Sequence, residues 1–322
     1  MADPSVDDGV DLGGRLNSAI WGLAGAAGLF LALRLYCKIW RTRKLWWDDH
    51  FLVIAFLALL ASVVLQSILV QLGIGKHSAN IPIENVKPMS KYSYASGFCS
   101  ILALVWSKTS FGLTLLRIAS GWPRTTIWVI IVGVNIVLGV NGTIQWIQCW
   151  PTPRLWDWEH EGTCWDPEIV KGYNTFASIF SGVMGIVLAL LPWKIIWNVQ
   201  IRKREKFGAM IAMSMGLLAG AMSFTKISTL YAIGHPDVST NVNLFIFGTA
   251  EPAMTIVGAS IPVLRLLFKR KRMSRTSMGR SGGPYLVSNV ISLRSRSKLE
   301  NDGRVRPLDE ESILQRPVTW GS

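Results

Sequence analysis

The chain has 322 residues and a formal net charge of +13, yet only 16% of its residues are charged and 50% are hydrophobic. A soluble domain carries about 25% charged residues, so this apolar excess requires a solvent other than water. The positive charge alone would suit a nucleic-acid partner. However, most basic residues flank apolar runs or lie in the tail from Lys269 onward. That placement is typical of an oriented membrane protein whose partner is the lipid bilayer, and it excludes nucleic-acid binding.

The N-terminal segment, residues 1–16, is acidic and contains Asp3, Asp7, Asp8 and Asp11. A secretory signal peptide has a basic start followed by an apolar core, and this segment has neither. We therefore expect residues 1–16 to form an acidic extracellular N-terminus. The first membrane helix then acts as the uncleaved insertion signal.

Seven apolar runs are long enough to cross a bilayer, which takes about 20 helical residues. They lie at residues 17–40, 50–72, 93–117, 125–148, 172–199, 207–233 and 243–268. The sequence thus predicts an all-α fold, a seven-transmembrane helix bundle over residues 17–268. Residues 269–322 are rich in Ser and Arg without a long apolar run, which predicts a basic, disordered cytosolic tail.

Basic residues in the short connections set the orientation of the bundle. Clusters follow the first, third, fifth and seventh runs, at Arg41 to Lys44, Arg117 with Arg124, Arg202 to Lys206, and Lys269 to Arg272. All four fall on one side if the N-terminus is outside and the C-terminus is cytosolic. This predicts a multi-pass protein of the plasma membrane. Arg34, near the inner end of the first run, is expected to snorkel toward water.

No enzymatic motif is present, so we predict a non-enzymatic protein without a cofactor. Gly73, Gly75, Lys76 and His77 resemble part of a phosphate loop but lack its full pattern. They indicate instead a glycine-rich end to the second helix. Retinal binding is excluded because the seventh run, residues 243–268, contains no lysine for a Schiff base.

Three ionisable residues lie inside apolar runs, where charges are costly and often functional: Lys108, Lys226 and Glu251. Lys226 and Glu251 lie about 10–12 Å below the outer ends of neighbouring antiparallel helices, so we predict an ion pair between them. Lys108 is about 22 Å deep by the same count and is expected to face Asp48 or Asp49. Mutual neutralisation that fixes packing and a direct role in ligand or ion recognition are both open.

The four cysteines are Cys37, Cys99, Cys149 and Cys164. Cys149 and Cys164 share the outer connection between the fourth and fifth runs, where oxidising conditions allow a disulfide. We predict that bond, although Cys99 near the outer end of the third run competes as a partner. Metal binding by Cys149, His160 and Cys164 is the weaker alternative because the spacing matches no usual zinc pattern. The glycosylation sequon at Asn141 lies inside the fourth run and is expected to stay unmodified.

Short motifs follow one another along the chain in a characteristic order. They are Arg34-Leu35-Tyr36, Trp47-Asp48-Asp49, Gly73-Ile74-Gly75-Lys76-His77, Lys108-Thr109-Ser110, Leu116-Arg117-Ile118, Cys149-Trp150-Pro151 with Cys164, Leu191-Pro192, and Glu251 followed by Ile261-Pro262-Val263-Leu264-Arg265. In this order they resemble the fungal rhodopsin-like domain family over roughly residues 15–270. That family includes satratoxin-cluster-type integral membrane proteins and the transmembrane part of CFEM receptor-like proteins.

The resemblance implies a seven-helix, receptor-like membrane protein of unknown ligand. It marks as family-motif residues Asp48, Asp49, Gly73, Gly75, Lys76, His77 and Arg117. Where members often carry an acidic residue on helix five, this chain has Gly185. A receptor would bind an extracellular or lipid-phase small ligand and would reach a cytosolic signalling partner through its basic tail. The alternatives are a transporter or accessory membrane protein for a secondary metabolite, and a scaffold without a small ligand.

Overall fold

The computed structural model describes residues 12–42, 46–75, 82–117, 119, 121–157, 159–197, 203–232 and 238–277. Most of the predicted acidic N-terminus, Lys76, His77 and residues 278–322 of the basic tail lie outside this part of the chain. The described part contains seven helices. They are α1 (Gly13–Thr42), α2 (Trp47–Leu72), α3 (Ile83–Leu116), α4 (Trp122–Ile147), α5 (Pro167–Trp197), α6 (Lys203–Ala232) and α7 (Val238–Ser277).

Within the described residues, each predicted run coincides with a helix, and every helix begins earlier than its apolar run. The reason is visible in α2, whose first turn carries Asp48 and Asp49. Acidic side chains favour a helix N-terminus because they complement its dipole, but hydropathy does not count them as membrane-spanning. α7 ends at Ser277, beyond the predicted boundary at residue 268.

Six helices, α1 to α5 and α7, contain segments long and apolar enough to cross a bilayer within the described residues. α6 is helical but is not among these six. α4 illustrates the membrane-facing pattern, because Val129, Val132 and Ile136 are exposed while Ile127 and Val134 are buried. An apolar side chain exposed on such a helix faces lipid. The protein is a multi-pass helical membrane protein.

The chain divides into two compact units, residues 1–270 and 271–322. The first unit contains the helical bundle up to Arg270. Its apolar core includes Leu31, Leu52, Phe111, Ile127 and Ile256, which come from α1, α2, α3, α4 and α7. Of the second unit, the structure describes only the helical residues 271–277.

α3 is the central helix of the bundle. It packs against α2, α4 and α5, and its side chains also reach α7. Ser62 Oγ on α2 donates a hydrogen bond to the Ser96 carbonyl at 3.0 Å, and Ser100 Oγ donates to the Gly248 carbonyl at 2.9 Å. Polar residues on its buried face, Lys108 and Thr114 among them, therefore lie inside the bundle and away from lipid.

The two ends of the bundle can be named by their contents. One end carries a short hairpin of β1 (Cys149–Trp150) and β2 (Thr163–Cys164), in which Cys149 pairs with Cys164. We call it the disulfide end, and we call the opposite end, near the start of α2, the Asp48 end. α2 stops at the disulfide end with Gly73 (φ 120°) and Gly75 (φ 102°). A Cβ on Gly75 would lie 2.5 Å from the Gly13 nitrogen, so the predicted glycine-rich stop is confirmed.

Candidate functional site

Lys108 on α3 and Glu251 on α7 form a buried ion pair. Lys108 Nζ lies 2.9 Å from Glu251 Oε1, and both side chains are 4% exposed. Ser181 on α5 joins them, because Lys108 Nζ donates to the Ser181 carbonyl at 2.7 Å and Ser181 Oγ donates to Glu251 Oε1 at 2.9 Å. A buried pair is tolerated when further hydrogen bonds satisfy its remaining polar groups, and Ser181 supplies them here.

Lys226 on α6 belongs to the same cluster, which we call the central cluster. It interacts electrostatically with both Glu251 and Lys108, and Ser223, on the preceding turn of α6, hydrogen-bonds Glu251. The predicted ion pair between Lys226 and Glu251 stays a prediction, supported by their electrostatic interaction. Lys108 makes an ion pair with Glu251 at 2.9 Å.

The prediction that Lys108 faces Asp48 or Asp49 is wrong. Its depth was counted from the outer end of the third run, and α3 begins at Ile83, ten residues before that run. Helices that start at different heights share no common origin, so residue counts from their ends do not measure one depth. For the same reason, the depth count did not identify Glu251 as the partner of Lys108.

Gly185 on α5 lies directly against Lys108. A Cβ at this position would be 3.6 Å from Lys108 Nζ, so an acidic side chain here would face the ammonium group. With glycine instead, a cavity of about 20 Å³ remains beside Lys108, lined also by Gly216, Gly220 and Thr255. That volume is about the room that one water molecule needs.

A second group of buried charges lies at the Asp48 end. Arg34 on α1 is fully buried; its Nη2 lies 2.6 Å from Asp48 Oδ2 and its Nε 3.0 Å from Asp49 Oδ1. Lys38, one turn further along α1, places Nζ 2.6 Å from Asp49 Oδ2. The expectation that Arg34 snorkels to water is wrong, because two carboxylates across the short α1–α2 connection hold it inside the bundle.

The same group, the Asp48 cluster, also binds α3 and α7. Ser110 Oγ donates to the Asp48 carbonyl at 2.6 Å, and Arg34 Nη1 donates to the Ala259 carbonyl on α7 at 2.5 Å. Arg117, at the end of α3, lies 3.8 Å from Asp48 Oδ1 and 4.2 Å from the centre of the Trp46 ring. Four helices are thus tied together at one end by two carboxylates and three cations.

At the disulfide end, the predicted bond between Cys149 and Cys164 is present, and Cys37 and Cys99 are free. His160 pairs with Asp157 at 3.2 Å and does not join the cysteines. No group of His, Cys, Asp or Glu residues within the described ranges is arranged to hold a metal ion.

A cleft of about 600 Å³ opens beside the disulfide. Its volume lies within the range of small-molecule sites. Its walls come from α3, the end of α4, the hairpin and α5. The lining includes Tyr94, Gln148, Arg154, Leu155, Trp165, Glu168, Val170, Lys171 and Asn174. The cleft thus combines apolar and aromatic side chains with two amides, two cations and one carboxylate.

The loop between β1 and β2 is fastened to α3 by charge. Lys87 Nζ lies 2.9 Å from Asp157 Oδ1 and 3.0 Å from Glu159 Oε2. The hydrogen bond from Lys87 lowers the pKa of the Asp157 carboxyl below its ordinary value. Arg154 donates to the His160 carbonyl, which closes the loop on itself. These contacts shape one wall of the cleft.

The structure brings together some of the predicted site residues and separates others. Asp48, Asp49 and Arg117 meet in the Asp48 cluster, whereas Gly73 and Gly75 lie at the opposite end of α2. Lys76 and His77 fall outside the described residues. Sequence reasoning missed the partners Arg34, Lys38 and Ser181. The sequence could have predicted two of these partners, because Arg34 and Lys38 are four residues apart and share a helix face.

A comparison with known protein families finds a match over the part of the chain that contains these sites. Residues 33–270 match the fungal rhodopsin domain, a range that holds both buried clusters, the disulfide and the cleft. No curated protein and no solved structure matches the chain. Since the match covers well over half of the sequence, the chain belongs to the fungal rhodopsin domain family.

Proposed function

We propose that this protein is a non-enzymatic, receptor-like membrane protein that binds a small ligand in the cleft at the disulfide end. The observation that carries the proposal is the path of α3. It runs from the cleft wall at Tyr94, through the ion pair of Lys108, to Thr114 in the Asp48 cluster. A ligand that displaces the cleft end of α3 would also shift the α3 residues of both buried clusters.

The proposal includes seven spans, an extracellular disulfide end and a cytosolic Asp48 end in the plasma membrane. A disulfide persists in an oxidising compartment, which favours the outside for Cys149 and Cys164. The basic connections fall at the opposite end, as the positive-inside rule requires. α6 serves as the remaining span because Ser223 and Lys226 interact with Glu251 inside the bundle. A signalling partner would then contact the basic cytosolic tail.

The continuity of the helices favours a receptor over a transporter. Secondary transporters typically hold substrate at the midplane between discontinuous helices and show internal repeats. Each of the seven described helices is continuous between its ends, and the cleft of about 600 Å³ lies at one end of the bundle. A transporter that opens alternately to the two sides of the bilayer would have to break the Lys108–Glu251 pair and the contacts of the Asp48 cluster.

The test uses the full chain in lipid nanodiscs and a panel of small apolar compounds. A compound that binds the folded state raises the unfolding temperature, and at a hundred times its Kd it stabilises the protein by about 2.7 kcal/mol. We expect Trp165→Ala, which alters the cleft, to abolish that shift. Trp128→Ala is the matched control, because Trp128 is half-exposed on the lipid-facing side of α4.

The same compound is then followed in proteoliposomes. A receptor shows saturable binding without net flux of the compound. Protein-dependent flux that Trp165→Ala reduces would contradict the receptor proposal and favour the transporter. If Trp165→Ala and Trp128→Ala have the same effect on the ligand-induced shift in unfolding temperature, the cleft is not the binding site.

A further inference from the structure

Two buried amide oxygens on α4 have no hydrogen-bond donor. They are Asn141 Oδ1 and Gln145 Oε1, and none of the described residues donates to either. Asn141 is 9% exposed. The two residues are four apart and therefore share one face of the helix. A polar oxygen buried without a donor costs free energy, and hydrocarbon supplies no water to provide one.

Two hydrogen bonds join this face of α4 to residues that line the cleft. Gln148, which lines the cleft, donates from Nε2 to the Gln145 carbonyl at 3.4 Å. Gln145 in turn donates from Nε2 to the carbonyl of Tyr94, another cleft residue, at 3.0 Å. The three amides Gln148, Gln145 and Asn141, which we call the amide ladder, lead about 10 Å from the cleft into the bundle at 1.5 Å per residue.

Glycine allows the ladder to lie against α3. A Cβ on Gly97 would be 2.6 Å from Gln145 Nε2, so only glycine leaves room for the amide in this position. The surroundings are otherwise apolar. A Cβ on Gly142 would lie 3.4 Å from Phe98, and the Phe98 ring meets the edge of Trp146 with centroids 5.8 Å apart.

We propose that the amide ladder is a hydroxyl-recognition site, so that the ligand of the cleft is an apolar alcohol. Its hydroxyl donates to Asn141 Oδ1 or Gln145 Oε1, and its apolar body extends from the ladder toward Leu155, Trp165 and Val170 in the cleft. The inference rests on the proposed function and names the ligand class of the same site. Arg154 and Lys171 in the cleft lining disfavour a cationic donor, which leaves a neutral hydroxyl group as the better fit.

The test uses a photoreactive apolar alcohol, trifluoromethyl-diazirinyl benzyl alcohol, and its methyl ether, which keeps the shape but loses the donor. The full chain in nanodiscs is irradiated with each probe, and the labelled peptides are mapped by mass spectrometry. We expect the alcohol to label α3 and α4 beside the ladder. Replacing the hydroxyl by the ether should raise the half-saturating concentration about fivefold to tenfold, the loss of one hydrogen bond.

Asn141→Leu and Gln145→Leu should each weaken labelling by the alcohol by a similar factor and leave labelling by the ether unchanged. Without probe, Asn141→Leu should keep or raise the unfolding temperature, because it removes an oxygen that lacks a donor. Asn135→Leu is the control. Asn135 donates to Thr109 Oγ1 at 2.9 Å, so its loss should lower stability without affecting the probe.

Three results would overturn the inference. Equal labelling by alcohol and ether would show that the hydroxyl is not recognised. A fall in unfolding temperature for Asn141→Leu with unchanged labelling would show that ordered water serves the ladder. Absence of labelling near α4 would remove the site. If the compound panel still yields a Trp165-dependent ligand, only the alcohol assignment fails; if that panel fails as well, the proposed receptor site falls with it.

Discussion

Removing the carboxylate of Glu251 should destabilise the bundle strongly. At 2.9 Å from Lys108, an attraction between unit charges is about 6 kcal/mol at an effective dielectric of about 20. Glu251→Gln leaves the buried ammonium group of Lys108 without its carboxylate partner. Breaking one side of a buried pair typically costs about 3–5 kcal/mol, and we expect a loss of stability in that range.

Double-mutant cycles distinguish the two lysines. Lys108→Met combined with Glu251→Gln should recover much of the loss, because the pair is removed as a unit. Lys226→Met combined with Glu251→Gln should recover less, since Lys226 acts on Glu251 through its charge and Lys108 also shares Ser181 with it. The coupling energy should therefore be larger for Lys108 than for Lys226.

The assay is thermal unfolding of the purified protein in nanodiscs, with monodisperse folded yield as a second readout. Ser178→Ala on α5 is a suitable control, because within the described part of the chain its hydroxyl donates to its own helix, at the Asn174 carbonyl. A Lys108/Glu251 double variant no more stable than the worse single variant would refute the pairing. A larger coupling energy for Lys226 would show that the pair predicted from the sequence, Lys226 with Glu251, is the stronger of the two.

Three further predictions concern the two ends of the bundle. Asp49→Asn should cost about 3–5 kcal/mol by thermal unfolding, because Arg34 and Lys38 lose a buried carboxylate; an unchanged unfolding temperature would contradict this. Non-reducing peptide mapping should recover Cys149 bonded across its loop with Cys99 free, and Cys149→Ser should lower stability by about 3 kcal/mol; Cys99 in the bond would refute the pairing. Lys87→Met should raise the pKa of Asp157 toward its ordinary value of 3.8, followed by carboxyl NMR titration. Because that pKa is depressed, the Lys87 contact contributes at neutral pH and is lost as pH falls through the acidic range; a titration that Lys87→Met leaves unchanged would disprove it.

The helices were predictable because a membrane span is a property of the local sequence. About 20 apolar residues suffice to identify it, and the short connections leave little doubt about the order of elements. The first and last residues of the helices were less predictable. Half of the first ten residues of α3, from Ile83 to Tyr92, are polar or charged. A helix that extends beyond the bilayer core in this way is not detected as an apolar run.

The partners of the buried charges were harder to predict than their presence. Lys108 was identified as costly in hydrocarbon, but choosing Glu251 over Asp48 requires the relative heights of α3 and α7, which depend on packing along the whole bundle. The Asp48 cluster shows the opposite case. Arg34 and Lys38 on one face of α1, followed after a short connection by two adjacent carboxylates, carried enough information to predict the pairing.

The cleft could not be predicted because its walls depend on how the polar ends of the helices and the hairpin pack together. Its walls combine the hairpin, the end of α4 and the start of α5, and each is positioned by single contacts such as the disulfide. The amide ladder was hidden for a different reason. In the sequence, Asn141 is recognisable only as part of a glycosylation sequon. Whether its side-chain oxygen has a hydrogen-bond donor depends on neighbouring residues whose positions the sequence does not provide.

The arrangement of polar groups along α3 bears on how a signal would cross this bundle. Tyr94 and Thr114 are separated by about 30 Å of helix at 1.5 Å per residue, which is the thickness of the hydrocarbon core. Between them, Lys108 is the point at which α3 is fixed to both α5 and α7. A helix does not compress, so under the proposed function a shift at Tyr94 must be absorbed at Lys108 or passed to the Asp48 cluster. Ion pairs and hydrogen bonds exchange partners in discrete steps, and the groups that such a step would exchange are Lys108, Glu251 and Lys226.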